Sequence, residues 1–262
     1  MHCNDNSRYW MRIVVVAFAM VVLVASGTPA SAQDEAEARK FTDPSDPGYE
    51  EPIANYDPWE GFNRRMYKFN YGFDKYVYLP VVRGYQFILP KVVRKGIANF
   101  FNNLFEIRSV MNNLLQADPK GAFDATTRIV LNTTIGIAGV WDPAMHMGFN
   151  RDDEDFGQTL GVWGAGPGPY LVLPFLGPSS VRDGIGTGVD AAVGTIWTSW
   201  VINEVYSRSA AERDRLYWGL TGLYYISKRS EIPFRYYETG SPFEYEYVRY
   251  IYLKWRQVSI ER

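Results

Sequence analysis

From Pro58 onward, apolar side chains return at intervals of three and four residues. Phe62, Met66, Phe69, Phe73 and Tyr76 fall on one side of a helix, with Arg65, Lys68 and Lys75 on its flanks and back. Pro80 and Pro90 interrupt the pattern. A second helix starts at Pro90, a residue favoured in a first turn, with Val93, Ile97, Phe100 or Phe101, and Leu104 on one face. Asn99, Asn102 and Asn103 occupy its other face. A third stretch, Ile107 to Gln116, brings Val110, Met111, Leu114 and Leu115 together. Asp118-Pro119 then supplies an N-cap and a first-turn proline for a helix running through Phe123, Thr127, Val130 and Leu131. The segment Ile135 to Trp141 is apolar but punctuated by Gly136 and Gly139, and reads as a hairpin or loop.

Residues 157–188 are so rich in glycine and proline that no long regular element is expected there, although Tyr170 to Leu173 is apolar. Helices resume at about Val189 to Arg208 and Ala210 to Arg229, and a last one after Pro242 carries Tyr245, Tyr247, Tyr250, Tyr252 and Trp255. The expected class is therefore mostly α, with a Gly/Pro-rich loop region. Past the N-terminus no run is long and apolar enough for a spanning helix, and alternating strand patterns are too scarce for a barrel. Amphipathic helices of this kind face either a dry core or a lipid interface, and periodicity does not separate the two.

The N-terminus changes the picture. Arg8 and Arg12 precede an unbroken apolar run from Ile13 to Val24, and Ala30-Ser31-Ala32 offers a small-residue cleavage site. Twelve residues of helix reach only about 18 Å, short of a hydrocarbon core, so residues 1–32 read as an export signal rather than an anchor. Its removal takes away Cys3, the only cysteine, and with it any disulfide or thiolate metal site. Cys3 also precedes the apolar run, where it is no lipid-attachment cysteine, so the chain does not read as a lipoprotein. Residues 33–56 are acidic, proline-bearing and poor in apolar side chains, a composition that reads as a disordered leader. The body, 57–262, has a mild basic excess that suits anionic lipid and is too small for nucleic acid. Aromatic residues reach 16% of the chain, with 19 tyrosines; amphipathic rings of this kind suit a grease–water boundary, a tyrosine-rich core or a protein interface.

Catalytic chemistry is sparse. Beyond the signal the sole histidine is His146, between Met145 and Met147, and it reads as structural. No serine lies in a G-x-S-x-G elbow; the nearest look-alike, Gly177-Pro178-Ser179-Ser180, lacks the second glycine. Neither H-E-x-x-H nor a phosphate-binding glycine loop occurs. Asp152-Asp153-Glu154-Asp155 lacks calcium-loop spacing and reads as a solvated turn. The expectation is no enzyme, no cofactor, no metal and no catalytic residue.

Four ordered blocks do resemble a known family. Asp57-Pro58-Trp59-Glu60-Gly61-Phe62-Asn63-Arg64-Arg65-Met66-Tyr67-Lys68-Phe69-Asn70 resembles the opening of MlaA/VacJ proteins, and Arg94 to Asp118 and Arg128 to Gly139 resemble the next two. The most specific is Asp155-Phe156-Gly157-Gln158-Thr159-Leu160-Gly161, continued through Gly177-Pro178-Ser179-Ser180 to Arg182-Asp183. The match covers about residues 57–190; beyond that it is loose. The resemblance implies a single ring-like helical domain in the inner leaflet of the outer membrane. It further implies removal of mislocalised phospholipid from the outer leaflet through a central channel. A trimeric porin and a periplasmic lipid carrier are the implied partners. On this basis Phe62, Phe69 and Phe73 are the membrane-facing candidates. Asn63, Asn70, Asn99, Asn103 and Arg128 are candidates for the headgroup path, with capping and interhelix bonding as their alternative role. Ile135, Gly136, Gly139 and Trp141 are candidates for its gate or wall, as is the 157–183 loop. A second reading keeps the location but makes the protein a porin-associated scaffold without lipid transfer, and a third makes it a secreted lipid hydrolase using His146. Many family members are lipoproteins, and in that respect this sequence departs from the pattern.

Overall fold

The computed structural model describes residues 57–206, 208–238 and 241–261; the export signal and the acidic leader lie outside them. The class is mostly α, as expected. Helix α1 (Glu60–Phe73) opens after a turn in which the Trp59 amide donates to Asp57 Oδ1 (3.1 Å), and Glu60 sits favourably in its first turn. It does not stop before Pro80. It widens into a π turn, Asp74–Tyr78, and continues as α2 (Leu79–Ile88) with Pro80 in the first turn. A proline within a regular helix lacks a donor and collides with the preceding turn; the π turn accommodates both defects, so the chain bends rather than breaks. Pro90 does break it, because Leu89 before it is extended.

The two segments expected after Pro90 are one helix, α3 (Lys91–Leu115). It packs along α4 (Pro119–Thr134), whose N-cap Asp118 accepts from the Lys120 amide at 3.1 Å. The 135–141 segment is a tight turn in which Ile137, Ala138 and Gly139 all have positive φ and close the last carbonyls of α4. Short helices α5 (Pro143–His146) and α6 (Phe156–Val162) follow. Strands β1 (Tyr170–Leu173) and β2 (Gly177–Ser180) form an antiparallel hairpin, with Tyr170 opposite Ser180.

Helix α7 (Val181–Val205) starts earlier than the glycines led the sequence to suggest. The glycines serve packing here. A Cβ on Gly186 would lie 2.3 Å from the Gly157 amide nitrogen, so α6 and α7 approach backbone to backbone. Helices α8 (Ala210–Glu231) and α9 (Glu244–Ile260) complete the chain. Helix α8 packs on α2, α3 and α7, and α9 packs on α6 and β2, while the hairpin rests on α1. The elements thus form a closed circuit, in keeping with a ring-like arrangement.

The distribution of polarity is inverted relative to an ordinary soluble helical protein. Among the described residues, fully buried polar and charged side chains outnumber fully buried apolar ones, while many large apolar side chains are exposed. Phe87 is 92% exposed, and Val92, Ile137, Val205 and Trp218 are also mostly uncovered. No helix among the described residues is long and apolar enough to cross a membrane.

Candidate functional site

Helix α1 shows how the inversion is built. Its buried positions are Asn63, Tyr67, Asn70 and, just beyond, Asp74, spaced along one face, and together they hold the hairpin, α9 and α8. Asn63 donates to the Tyr170 carbonyl (3.0 Å) and accepts from the Val172 amide (2.8 Å). Asn70 treats the hairpin turn alike, donating to Leu173 O (2.9 Å) and accepting from the Phe175 amide (2.7 Å). The two amides thus imitate a third strand along β1. Tyr67 donates to Glu244 of α9 (2.7 Å), and Arg229 of α8 grips Asp74 through two nitrogens at 2.7 and 2.8 Å. Away from this face Phe62 and Phe69 are exposed, while Phe73 is half-buried, 4.8 Å between ring centres from Phe175.

The seam between α3 and α4 is also polar. Arg128, 2% exposed, has all three nitrogens engaged: Nε with Glu106 (3.1 Å), Nη1 with the Phe149 carbonyl (2.7 Å) and Nη2 with Asp142 (3.0 Å). Burial pushes the Glu106 carboxyl above its ordinary range despite Arg128 and Arg151. Burial acts on Asp142 in the same sense, but there the bonds from Arg128 and the Met145 amide prevail and lower it. Asn99 donates to Val140 O (3.1 Å), tying α3 to the 135–141 turn, and Asn103 donates to Thr133 Oγ1 (2.9 Å) at the end of α4. A Cβ on Gly139 would lie 2.6 Å from Asn103 Cβ, so the turn fits closely over α3.

These positions correct the sequence expectation for three headgroup candidates. Asn63, Asn70 and Arg128 bond to backbone and carboxylate rather than facing a passage, because a buried amide or guanidinium must find partners and the nearest ones belong to neighbouring elements. Asn99 likewise holds the turn, and Asn103 the end of α4. Ile135 and Trp141 are exposed around that turn, and Gly136 and Gly139 lie within it.

A cavity of about 300 Å³ lies elsewhere, between α3, α7 and α8. Its α3 wall is Phe101, Leu104, Phe105 and Arg108; its α7 wall is Thr187, Asp190, Ala191, Gly194, Thr195 and Thr198; α8 adds Tyr217, Leu220, Thr221 and Tyr224. It is apolar on α3 and α8 and small and hydroxyl-bearing on α7. Of the candidates read from sequence only the 157–183 loop reaches it, through Leu176; none of the individually named residues lines it. A signal was present in the helical spacing of Phe101, Leu104, Phe105 and Arg108, where a cation interrupts an apolar face. The α7 wall, mostly small and hydroxyl-bearing residues of the helix expected from about Val189, had no such signal.

Asp155 and Asp190 reach the cavity from a charged cluster behind it. Arg256 of α9 binds Asp155 through both terminal nitrogens (2.6 and 2.8 Å) and Asp183 through one (2.8 Å), and Tyr252 donates to Asp183 (2.8 Å). Burial raises the Asp183 carboxyl, yet Arg256 and Arg182 outweigh it and hold it below the ordinary range. The most family-like block, Asp155 to Arg182-Asp183, is thus the framework that docks α9. His146 lies 6.3 Å from Trp141 between ring centres, and no cluster of metal-ligating side chains occurs among the described residues.

Together these features define a class: a mostly helical protein with many exposed apolar side chains, polar helix–helix seams and an amphipathic cavity between its longest helices. The chain belongs to the MlaA lipoprotein family, whose sequence profile matches residues 55–259. It is 38% identical over 152 residues to the intermembrane phospholipid transport system lipoprotein MlaA of Escherichia coli, covering 55% of this chain and 59% of that protein. An uncharacterized protein of Rickettsia prowazekii is 37% identical over 128 residues, covering 49% of this chain and 51% of the other. The chain thus spans about half to three fifths of the curated relatives it matches. A solved structure described as "Structural basis for maintenance of bacterial outer membrane lipid asymmetry" superposes with a TM-score of 0.60 at 30% identity, covering 79% of this chain and 100% of that one. The relatives' designation as lipoproteins runs against the sequence expectation of an envelope protein without a lipid tether; Cys3, on which that expectation turned, is outside the described residues.

Proposed function

We propose that the protein is a non-enzymatic phospholipid transport component of the outer membrane. In this reading it lies in the inner leaflet, takes mislocalised phospholipid from the outer leaflet and passes it to a periplasmic carrier beside a trimeric porin. The observation that carries the reading is the pairing of many exposed apolar side chains with an internal amphipathic cavity. A molecule that meets acyl chains on its outside keeps polar contacts for its seams, since exposed rings then gain from lipid and buried polar groups gain from one another. Moving a lipid requires no bond chemistry. It requires a sheltered route for a charged headgroup, whose passage through hydrocarbon costs several kcal/mol. The relatives named as phospholipid transport lipoproteins support the assignment.

Deletion of the gene tests it. Outer-leaflet phospholipid and detergent sensitivity should both rise and return to normal on complementation; an unaltered lipid distribution overturns the reading.

A further inference from the structure

Two groups in the cavity wall have hydrogen-bonding capacity that the protein leaves unused. Arg108 makes no ion pair with any described residue. Its Nε has one long bond to the Phe105 carbonyl (3.4 Å), and its guanidinium carbon lies 4.7 Å from the centre of the Phe105 ring. No described group accepts from Nη1 or Nη2. The buried arginines elsewhere behave differently: Arg128, Arg229 and Arg256 are each locked to carboxylates. The second group is Thr198, 5% exposed, whose Oγ1 has no hydrogen-bond partner. A buried hydroxyl without a partner is uncommon, and here it belongs to the α7 wall of the cavity whose α3 wall carries the open guanidinium.

The neighbouring acids make no hydrogen bond to Arg108. Asp155 is bound by Arg256, and both Asp190 oxygens are occupied, Oδ1 by Asn112 (3.3 Å) and Oδ2 by the Phe156 amide (2.9 Å). Stacking on Phe105 fixes the plane of the guanidinium while leaving its outer nitrogens open. Two parallel donors in a fixed plane match two oxygens of a phosphodiester. Asp190 lies within electrostatic reach, so a singly charged diester suits the cavity better than a doubly charged monoester.

We infer that Arg108, with Thr198 as the second donor, binds the phosphodiester of a phospholipid headgroup inside the α3–α7–α8 cavity. The inference rests on the transport reading and names the atoms that hold the lipid. The phosphodiester is common to zwitterionic and anionic phospholipids, so the site binds both.

The test uses the full chain extracted from membranes, exchanged against vesicles of phosphatidylethanolamine or of phosphatidylglycerol, with bound lipid read by native mass spectrometry. The unaltered protein should retain lipid from either vesicle. Arg108→Met should reduce retained lipid about ten-fold or more from both, with Arg108→Lys restoring part of it. Thr198→Val, which keeps shape and removes the hydroxyl, should reduce it about three-fold or more. Thermal unfolding of each variant is followed alongside, and Arg108→Met should melt within a few degrees of the unaltered protein. Equal lipid retention by Arg108→Met and the unaltered protein overturns the inference and leaves the transport reading standing. Loss confined to phosphatidylglycerol also overturns it, because Arg108 would then act only through net charge. Absence of lipid from the unaltered protein overturns the transport reading, and the inference with it.

Discussion

Helix α3 carries two polar regions that differ in almost every respect. On the side facing α4, Glu106 is sealed against Arg128, and each nitrogen of that arginine has a partner. Two residues along, on the side facing α7 and α8, Arg108 has only the weak bond from Nε and the ring of Phe105. The same residue type in the same molecule thus performs two tasks. The closed seam provides position: its charges are fixed by geometry and removing one strands the others. The cavity provides capacity: its polar groups are held in place by packing and left unsatisfied toward the centre. The seam fixes the helices, and the cavity between α3, α7 and α8 keeps an unpaired guanidinium in its wall.

The largest effect is expected where the seam is broken. Arg128→Met should destabilise by roughly 3–5 kcal/mol, because Glu106 and Asp142 lose their counter-charge while Glu106 stays buried. Arg108→Met should change stability by about 0.5 kcal/mol or less, since no buried partner is stranded. Chemical unfolding of the two variants measures the contrast, and equal losses would erase the distinction between seam and cavity.

Smaller changes are expected on the exterior. Replacing Phe62 and Phe69 by Ser should weaken partitioning onto phospholipid vesicles by about 1 kcal/mol per ring, roughly five-fold each, because each ring is about half exposed. Unfolding free energy should change less than for Arg128→Met. Vesicle flotation measures the partitioning, and unaltered flotation would show that this face meets something other than lipid.

The smallest effect concerns acid. Asp183 and Asp142 are held below the ordinary carboxylate range, so the unfolded chain binds their protons first and stability falls as pH drops through that range. Glu106 and Asp190 are raised and act in the opposite sense, softening the loss as they take up protons in the folded state. Asp183→Asn should be less stable near neutral pH and show a shallower fall below about pH 4. An unaltered slope by pH-dependent unfolding would place the acid sensitivity outside the α9 dock.

Much of the frame was legible in the chain. Asp118-Pro119 marked the start of α4, the apolar glycine-bearing segment 135–141 marked a hairpin or loop, and Phe62, Phe69 and Phe73 marked one side of α1, because caps, glycine breaks and helical periodicity are local properties. Other features were misread for a physical reason. Gly186 counted as a breaker, yet its close approach to Gly157 of α6 offsets the lost helix propensity. Pro80 counted as a stop, yet a widened turn let the helix pass it.

Side-chain roles divided along the same line. Periodicity and composition alone determined a mostly helical protein with amphipathic faces and little catalytic chemistry, since those depend on residue order and type. Only tertiary structure decided that Asn63, Asn70 and Arg128 close seams while Arg108 and Thr198 remain open. Whether a polar group is satisfied depends on what other parts of the chain bring within about 3 Å of it, and no spacing along one helix contains that information.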